Sequence, residues 1–205
     1  MVMDKRGLLE EINAHLIGEE KPSRFFQSLD SPLFMTSHPF TMLSRLKDVR
    51  QSPIHHPEGS VWIHTLMVLD EAATRKDQAT DSRAFMWAAL LHDIGKAVTI
   101  KVRKGKITAY DHDKVGAEMV RAFLQEFEDA LFISKTEALV RWHMQILYVA
   151  KGTRFADLDA MRDQADIRDV ALLGLCDRLG RLNVNKRAEE ESIQCFLNKA
   201  TSRQR

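Results

Sequence analysis

Four side chains that can bind a metal lie in segments of the sequence that are otherwise apolar: His64, His92, Asp93 and Asp177. A buried polar group without a hydrogen-bond partner costs about 1–3 kcal/mol, and a buried carboxylate needs a cation. Taken alone, His64 fits a hydrogen-bonded core residue and Asp177 fits an ion pair with Arg178. Taken together, the four satisfy one another if they converge on a divalent ion, because imidazole nitrogens and carboxylate oxygens suit Mn, Ni, Mg, Fe or Zn. The sequence therefore predicts a metal centre, and Asp93 could also accept a proton there.

Two further histidines are candidates for the same site. His143 lies on an apolar segment like that of His64, and His112 belongs to a second His-Asp pair in which Asp113 fits a helix cap. They could belong to the site as phosphate-binding groups or as the acid that protonates a leaving oxygen, and a purely structural role is the alternative.

Several cations accompany these residues in the sequence. Lys96, Arg178 and Arg181 are candidates to hold phosphate oxygens, and ion pairs with Asp93 or Asp177 are the alternative. A basic run follows at Lys101, Arg103, Lys104 and Lys106. The run could steer a nucleotide or an RNA end toward the site, or it could be a solvated turn.

The elements that must position these residues are predicted to be helical. Nine glycines and five prolines make up 14 of the 205 residues, about 7%, whereas the average usage of the two together is roughly 12%. Apolar residues also recur with helical spacing. We expect helices at 60–76, 82–92, 113–127, 134–149, 166–182 and 186–200, and a short one near 155–161. The alternation of β-branched residues around Gly105 predicts a short β-hairpin near 98–110. The fold class is therefore all-α, with residues 1–50 as a helical lead-in packed on a main domain at 51–205. His55 and His56, in a loop between prolines, are expected at the surface.

Composition excludes some classes of protein. The net charge is +1 and the longest apolar run, Phe85 to Leu91, has seven residues, far fewer than the roughly 20 that span a bilayer. The two cysteines form no CxxC pair, and the first residues do not resemble a secretion signal. We expect a cytoplasmic protein with no membrane partner, and the sequence leaves its oligomeric state open.

Longer motifs give the order His, His-Asp, Asp a specific context. The matching segments are Pro22–Phe26, Gln51–Gly59, Trp62–Asp70, Ala88–Lys96, Tyr110–Ala117 and Cys176–Arg181. In that order they resemble the HD superfamily of metal-dependent phosphohydrolases, and in particular the C-terminal HD half of bacterial CCA-adding tRNA nucleotidyltransferases. The resemblance covers residues 20 to 182 and departs at Asp111, where the family usually has Gly before His112.

The resemblance implies an HD-domain helical bundle in which His64, His92, Asp93 and Asp177 hold a divalent metal. Binuclear HD hydrolases use two additional histidines with a bridging aspartate, so the resemblance also makes a second metal at His112 and His143 possible. It further implies a phosphodiesterase or phosphatase acting on nucleotides or RNA ends, of the 2′,3′-cyclic phosphodiesterase or nucleotidase type. The sequence contains no nucleotidyltransferase head, so we do not expect nucleotide addition. The alternatives are an HD hydrolase of dinucleoside polyphosphates or deoxynucleotides, and a non-catalytic RNA-binding or interaction module.

Overall fold

The computed structural model describes residues 4–202, and they form helices with one small β-hairpin. The first four helices are α1 (Lys5–Gly18), α2 (Ser23–Ser28), α3 (Pro32–Thr36) and α4 (Thr41–Ser44). The next five are α5 (Val61–Ala73), α6 (Ser82–Leu91), α7 (Lys96–Thr99), α8 (His112–Leu124) and α9 (Ala130–Trp142). The last four are α10 (Gln145–Ala150), α11 (Leu158–Gln164), α12 (Ile167–Leu179) and α13 (Lys186–Thr201). Short 3-10 turns lie at Arg45–Asp48 and Lys76–Gln78. The predicted all-α class is confirmed.

Two central helices begin at side-chain caps that their sequences supply. The Ile63 amide donates to Ser60 Oγ at 3.4 Å at the start of α5, and the Ala84 amide donates to Asp81 Oδ1 at 3.0 Å at the start of α6. Both helices then run through almost uninterrupted apolar sequence and are buried on most sides. Helix α5 packs on α6 and α12, and α6 also packs on α9. These four helices form the centre of the bundle and carry most of the metal-binding candidates.

The β-hairpin lies where the sequence predicts it, within narrower bounds. Strand β1 (Lys101–Arg103) pairs antiparallel with β2 (Lys106–Thr108). Lys104 and Gly105 both have positive φ, at 49° and 74°, as the tightest two-residue hairpin turns require. Val98 belongs to α7, the helical turn that precedes the hairpin.

The helix predicted at 134–149 is wrong in one respect, because the structure divides it. Helix α9 ends at Trp142 and α10 begins at Gln145, so His143 lies at the break. An unbroken helix would satisfy the Val140 carbonyl with a backbone amide four residues later. At the break that carbonyl is free to bind the His143 ring instead.

The N-terminal helices contribute to the same apolar core as the rest of the chain. The Phe26 ring of α2 meets Trp62 of α5 edge to face, with ring centroids 5.9 Å apart. Leu8 and Ile12 of α1 are fully buried in the cluster that also contains α6. The division of the chain at residue 50 into a lead-in and a main domain stays a prediction. Among residues 4–202, no helix combines the length and the apolarity needed to cross a bilayer.

Candidate metal centre

Three helices bring the four predicted metal ligands together. His64 comes from α5, His92 and Asp93 follow the last residue of α6, and Asp177 comes from α12; all four are buried. His64 Nε2 lies 2.9 Å from Asp177 Oδ1 and 3.7 Å from Asp93 Oδ2. His92 Nε2 lies 3.3 Å from the same oxygen of Asp93. Residues 113 positions apart in the sequence thus share one small polar volume inside an apolar bundle.

The two remaining histidines lie on the other side of Asp93. His112 Nε2 is 3.4 Å from Asp93 Oδ1, and the rings of His112 and His143 have centroids 5.3 Å apart. Two groups of three residues therefore meet at Asp93, each with its ligand atoms within 4.8 Å of one another. One contains His64 and His92, and the other contains His112 and His143. Oδ2 of Asp93 faces the group with His64 and His92, and Oδ1 faces the group with His112 and His143.

Backbone carbonyls fix the orientation of three of these imidazoles. His92, His112 and His143 each donate Nδ1–H to the carbonyl oxygen three residues earlier, at 2.9, 2.7 and 2.7 Å. For His92 and His143 that carbonyl belongs to the last turn of a helix, where carbonyls lack a backbone donor. The proton on Nδ1 leaves Nε2 with a lone pair directed into the site, which is the arrangement found in metal-binding histidines.

The unsatisfied atoms of the site fit a divalent ion. Among residues 4–202, the buried Nε2 atoms of His92 and His112 have no hydrogen-bond partner, and Asp93 Oδ2 has the Lys96 ammonium 2.7 Å away. Buried polar atoms of this kind are rare in folded proteins unless water or an ion completes them. Imidazole nitrogens and carboxylate oxygens in this arrangement match the donor set of a first-row transition metal or Mg²⁺.

Most protonation states in the site suit metal binding, which needs neutral imidazoles and ionised carboxylates. Burial, together with the neighbouring His112, lowers the pKa of His143 to about 4, so its ring is neutral at physiological pH. Burial alone would raise the pKa of Asp93, but Lys96 and the adjacent His92 hold it well below its usual range.

Asp177 and His64 form a hydrogen-bonded pair in the metal-free site. The pKa of Asp177 is held low, against burial, by Arg181 and His64. Burial alone would lower the pKa of His64, but its hydrogen bonds with Asp177 and Glu58 raise it. An ion bound by His64 must therefore displace a proton from its ring.

Two of the three predicted phosphate-binding cations reach the site. Lys96 Nζ lies 2.7 Å from Asp93 Oδ2 and 2.8 Å from Gln51 Oε1. Arg181 Nη2 donates to both oxygens of Asp177, at 2.8 and 3.0 Å. Arg178 instead pairs through Nε with Glu189 of α13, so the structure does not bring it to the cluster.

The sequence analysis missed part of the site in the loop before α5. The expectation of a surface position is wrong for His56, whose side chain is 11% exposed, although His55 is exposed. His56 donates Nδ1–H to Glu58 at 2.9 Å, and Glu58 also lies 3.1 Å from His64 Nδ1. Burial and the nearby Lys96 lower the pKa of His56 to about 3. A proline-containing loop has no periodicity from which burial could be predicted, and the only signal was that Gln51–Gly59 is one of the segments that resemble the family.

A cavity of about 240 Å³ opens above the cluster. The polar part of its lining, called the floor here, consists of Asp93, His112, His143 and Asp177, with Lys96 and Arg181 beside them. The apolar part, called the wall, includes Ile100 and Ile107 from in and next to the hairpin, and Met144 and Leu147 from in and next to α10. The cavity thus joins a charged floor to an apolar wall.

Comparison with known proteins identifies the class. The sequence model of the HD domain family matches residues 61–182, and the chain belongs to this family, which lies in a superfamily of metal-dependent phosphohydrolases. HD domains bind divalent metals, and the His/Asp cluster described above could hold one.

Several relatives are similar to this chain over most of its length, and those described here are named multifunctional CCA proteins. The chain is 29% identical to the protein of Methylococcus capsulatus over 185 residues, which cover 90% of this chain and 37% of the relative. It is 32% identical to that of Variovorax paradoxus over 177 residues, covering 82% and 40%. For Halorhodospira halophila the identity is 34% over 140 residues, covering 65% and 32%. The chain thus spans two fifths or less of these relatives, and its resemblance to the HD half of CCA-adding enzymes is confirmed.

Proposed function

We propose that this protein is a metal-dependent phosphohydrolase that acts on phosphoesters of nucleotides or RNA ends, as a phosphodiesterase, nucleotidase or phosphatase. The observation that supports this proposal most strongly is the meeting of two ligand groups at Asp93, on the floor of a cavity, with two buried imidazole nitrogens, Nε2 of His92 and of His112, left unsatisfied. A purely structural role for the histidines would leave those atoms without partners.

We assign His64, His92, Asp93 and Asp177 to a first metal ion. Asp93, His112 and His143 would hold a second one. A divalent ion bound there supplies a water of lowered pKa and polarises a phosphoryl oxygen. Mn, Ni, Mg, Fe and Zn all accept this set of ligands.

The ligand role of His143 is favoured over a role as proton donor. Its Nδ1–H is already donated to the Val140 carbonyl, and its pKa of about 4 keeps Nε2 unprotonated at neutral pH. A group in that state has a lone pair to offer to a cation but no proton to give to a leaving oxygen.

The remaining polar residues of the cavity are suited to hold the substrate. In hydrolysis the water oxygen bonds to phosphorus, the ester P–O bond breaks, and the leaving oxygen gains a proton. Lys96 and Arg181 place positive charge beside the floor, where they would bind the non-bridging phosphoryl oxygens. The apolar wall of Ile107, Met144 and Leu147 would pack against a base or sugar.

The test begins with the metal-free protein, reconstituted with Mn²⁺, Ni²⁺ or Mg²⁺. Hydrolysis of bis-p-nitrophenyl phosphate is measured first, followed by 2′,3′-cyclic nucleotides, nucleoside monophosphates, RNA with cyclic phosphate ends, dinucleoside polyphosphates and deoxynucleotides. We expect turnover that needs metal and that Asp93→Ala abolishes, with the helical circular dichroism retained.

The second His-Asp pair provides a matched control. Asp113 is as buried as Asp93 but pairs with Arg141, at 2.8 Å, outside the cluster. Asp113→Asn is therefore expected to lower stability while leaving metal-dependent turnover in place. Retained activity in Asp93→Ala would contradict the assignment of Asp93 as a metal ligand.

Two other outcomes would favour a different function. Bound metal without turnover on any phosphoester would favour an RNA-binding or interaction module. Turnover confined to dinucleoside polyphosphates or deoxynucleotides would favour an HD hydrolase of those substrates.

A further inference from the structure

A buried carboxylate contacts the metal ligand His64 at Nδ1, the ring nitrogen that does not face Asp93 or Asp177. The side chain of Glu58 is 1% exposed, and its Oε1 lies 3.1 Å from His64 Nδ1 and 2.9 Å from His56 Nδ1. The two imidazole rings pack edge to face on each other, with centroids 4.6 Å apart. Glu58 therefore connects the loop before α5 to a ligand on α5.

The neighbours of His64 determine which of its ring nitrogens keeps its proton when an ion binds. Nδ1 faces Glu58 Oε1 and also the Gly180 carbonyl oxygen, at 3.0 Å. Both neighbours can only accept a hydrogen bond, so Nδ1 must be the donor. Nε2 lies 2.9 Å from Asp177 Oδ1, so in the metal-free site it donates as well. Asp177 is itself a proposed ligand, and an ion bound by His64 and Asp177 would take the place of the Nε2 proton.

We propose that Glu58 is a positioning residue for the metal centre, which orients His64 and strengthens it as a ligand. A carboxylate that accepts the second N–H of a metal-bound imidazole fixes the ring and raises its basicity. This inference rests on the proposed metal site. It goes beyond the match to the HD domain family, which begins at residue 61 and includes neither Glu58 nor His56.

The same three side chains could be taken for a metal site of their own, since their ligand atoms also lie within 4.8 Å of one another. That site would have to use Nδ1 of His64, the nitrogen opposite the one facing Asp177. A neutral imidazole has one lone pair and one N–H. His64 can therefore serve the Asp93 centre through Nε2 or the Glu58 group through Nδ1, and the Gly180 carbonyl at Nδ1 favours the first.

The experiment measures Mn²⁺ binding to the metal-free protein by isothermal titration calorimetry. Glu58→Met removes the acceptor and the charge, and we expect the same number of bound ions with affinity roughly 10–100-fold lower, the usual effect of losing such a partner. Glu58→Gln keeps an acceptor oxygen without the charge, and we expect an intermediate loss. Saturation with Co²⁺ should give an altered visible absorption spectrum in Glu58→Met, because the orientation of a ligand has changed.

Glu128→Met is the matched control. Glu128 is another largely buried glutamate, and it pairs with Arg83 far from the cluster. This variant should lose stability and keep the wild-type affinity and Co²⁺ spectrum. If Glu58→Met does not fold, as judged by circular dichroism, Glu58→Gln decides the question.

The outcomes separate the two proposals. Wild-type protein that binds no metal would overturn the proposed function. Wild-type binding with unchanged affinity in the Glu58 variants would overturn the positioning role alone. Complete loss of one bound ion in Glu58→Met, with the others unaffected, would show that Glu58 is itself a ligand and would also overturn it.

Discussion

At the scale of single residues, the site depends on which nitrogen of each histidine faces the cluster. His92, His112 and His143 use one local device, a hydrogen bond from Nδ1 to the carbonyl three residues earlier. His64 lies inside a helix whose carbonyls are taken by backbone amides, and its Nδ1 instead meets Glu58 and Gly180, from other segments. Orienting a ligand in mid-helix thus needs tertiary partners, whereas a ligand at a helix end is oriented by its own chain.

His143→Ala tests the second ion at this scale. His143 is one of the three proposed ligands of the second ion, with Asp93 and His112, and the substitution leaves the first group intact. We therefore expect the number of bound Mn²⁺ ions to fall from two to one. The measurement is metal content after dialysis, combined with calorimetry. His55→Ala, which alters an exposed residue of the neighbouring loop, should keep both ions. Two ions in His143→Ala would contradict the assignment of His143 as a ligand.

At the scale of elements, close backbone packing joins the turn after α6 to the start of α8. A Cβ on Gly95 would lie 2.2 Å from the His112 carbonyl oxygen and 2.7 Å from the Gly116 amide nitrogen. No side chain fits between these segments. The absence of a side chain at Gly95 therefore allows Asp93 and His112, which lie on the two segments, to approach within 3.4 Å.

Gly95→Ala should destabilise the protein by about 3 kcal/mol or more, because backbone atoms cannot move aside as a flexible side chain can. Urea unfolding with chelator present measures this without any contribution from metal. Gly18→Ala, at a helical position with open space around the added methyl group, is the control and should change stability by less than about 1 kcal/mol. Equal effects of the two substitutions would contradict the close packing at Gly95.

The start of α8 accounts for the departure at Asp111. This residue caps the helix with φ of 59°, in the left-handed region that glycine adopts most readily and that aspartate tolerates better than most residues. The usual family glycine and this aspartate therefore support the same turn, which places His112 in the site.

The start of α6 gives a pH-dependent contribution to stability. A hydrogen bond from Lys135 of α9, and the Ala84 amide, lower the pKa of Asp81 in the folded protein. A lowered folded pKa means that the stabilisation is fully present above the ordinary pKa of 3.8 and is lost as pH falls through the folded value. Asp81→Asn keeps the cap and removes the charge.

We therefore expect Asp81→Asn to be less stable than wild type at neutral pH, with the difference vanishing toward low pH. Urea unfolding between about pH 7 and pH 2 measures it. In the Lys135→Met background the same substitution should have a smaller effect. A difference that is independent of pH would rule out the ion pair as its cause.

At the scale of the whole molecule, the ligands come from elements that are distant in the sequence and meet only in the folded bundle. Residues of α5, α8 and α12 join those that follow α6 and α9. Ions bound by these residues would stabilise the folded state and not the unfolded chain. Metal binding should therefore be visible as thermal stability.

With free Mn²⁺ at about 100 times its dissociation constant, the stabilisation is about 2.7 kcal/mol for one site. For a chain of this size that corresponds to a rise in Tm of roughly 5–10 °C. Differential scanning calorimetry with Mn²⁺ and with chelator measures it, and Asp93→Ala should show no shift. A wild-type Tm that does not respond to metal would contradict the convergence of these elements on a cation.

The sequence by itself determined the all-α class, the hairpin and the four buried metal-binding candidates, because those features depend on local periodicity and on the cost of burying polar groups. It predicted that His64 and Asp177 need partners, since an apolar helix offers an imidazole or a carboxylate none of its own. The same reasoning extended to His143, which lies on a similar segment.

The sequence favoured Asp93 over Asp113 as a ligand, but only the tertiary structure decided what the second aspartate does. The N-cap position of α8 belongs to Asp111 and not to Asp113, which pairs with Arg141 instead. The sequence also left two sets of contacts undetermined. Glu58 and His56 lie against His64, and Arg178 pairs with Glu189. Loop conformation and the choice among nearby charges depend on packing between segments far apart in the chain, and neither leaves a periodic pattern in the sequence.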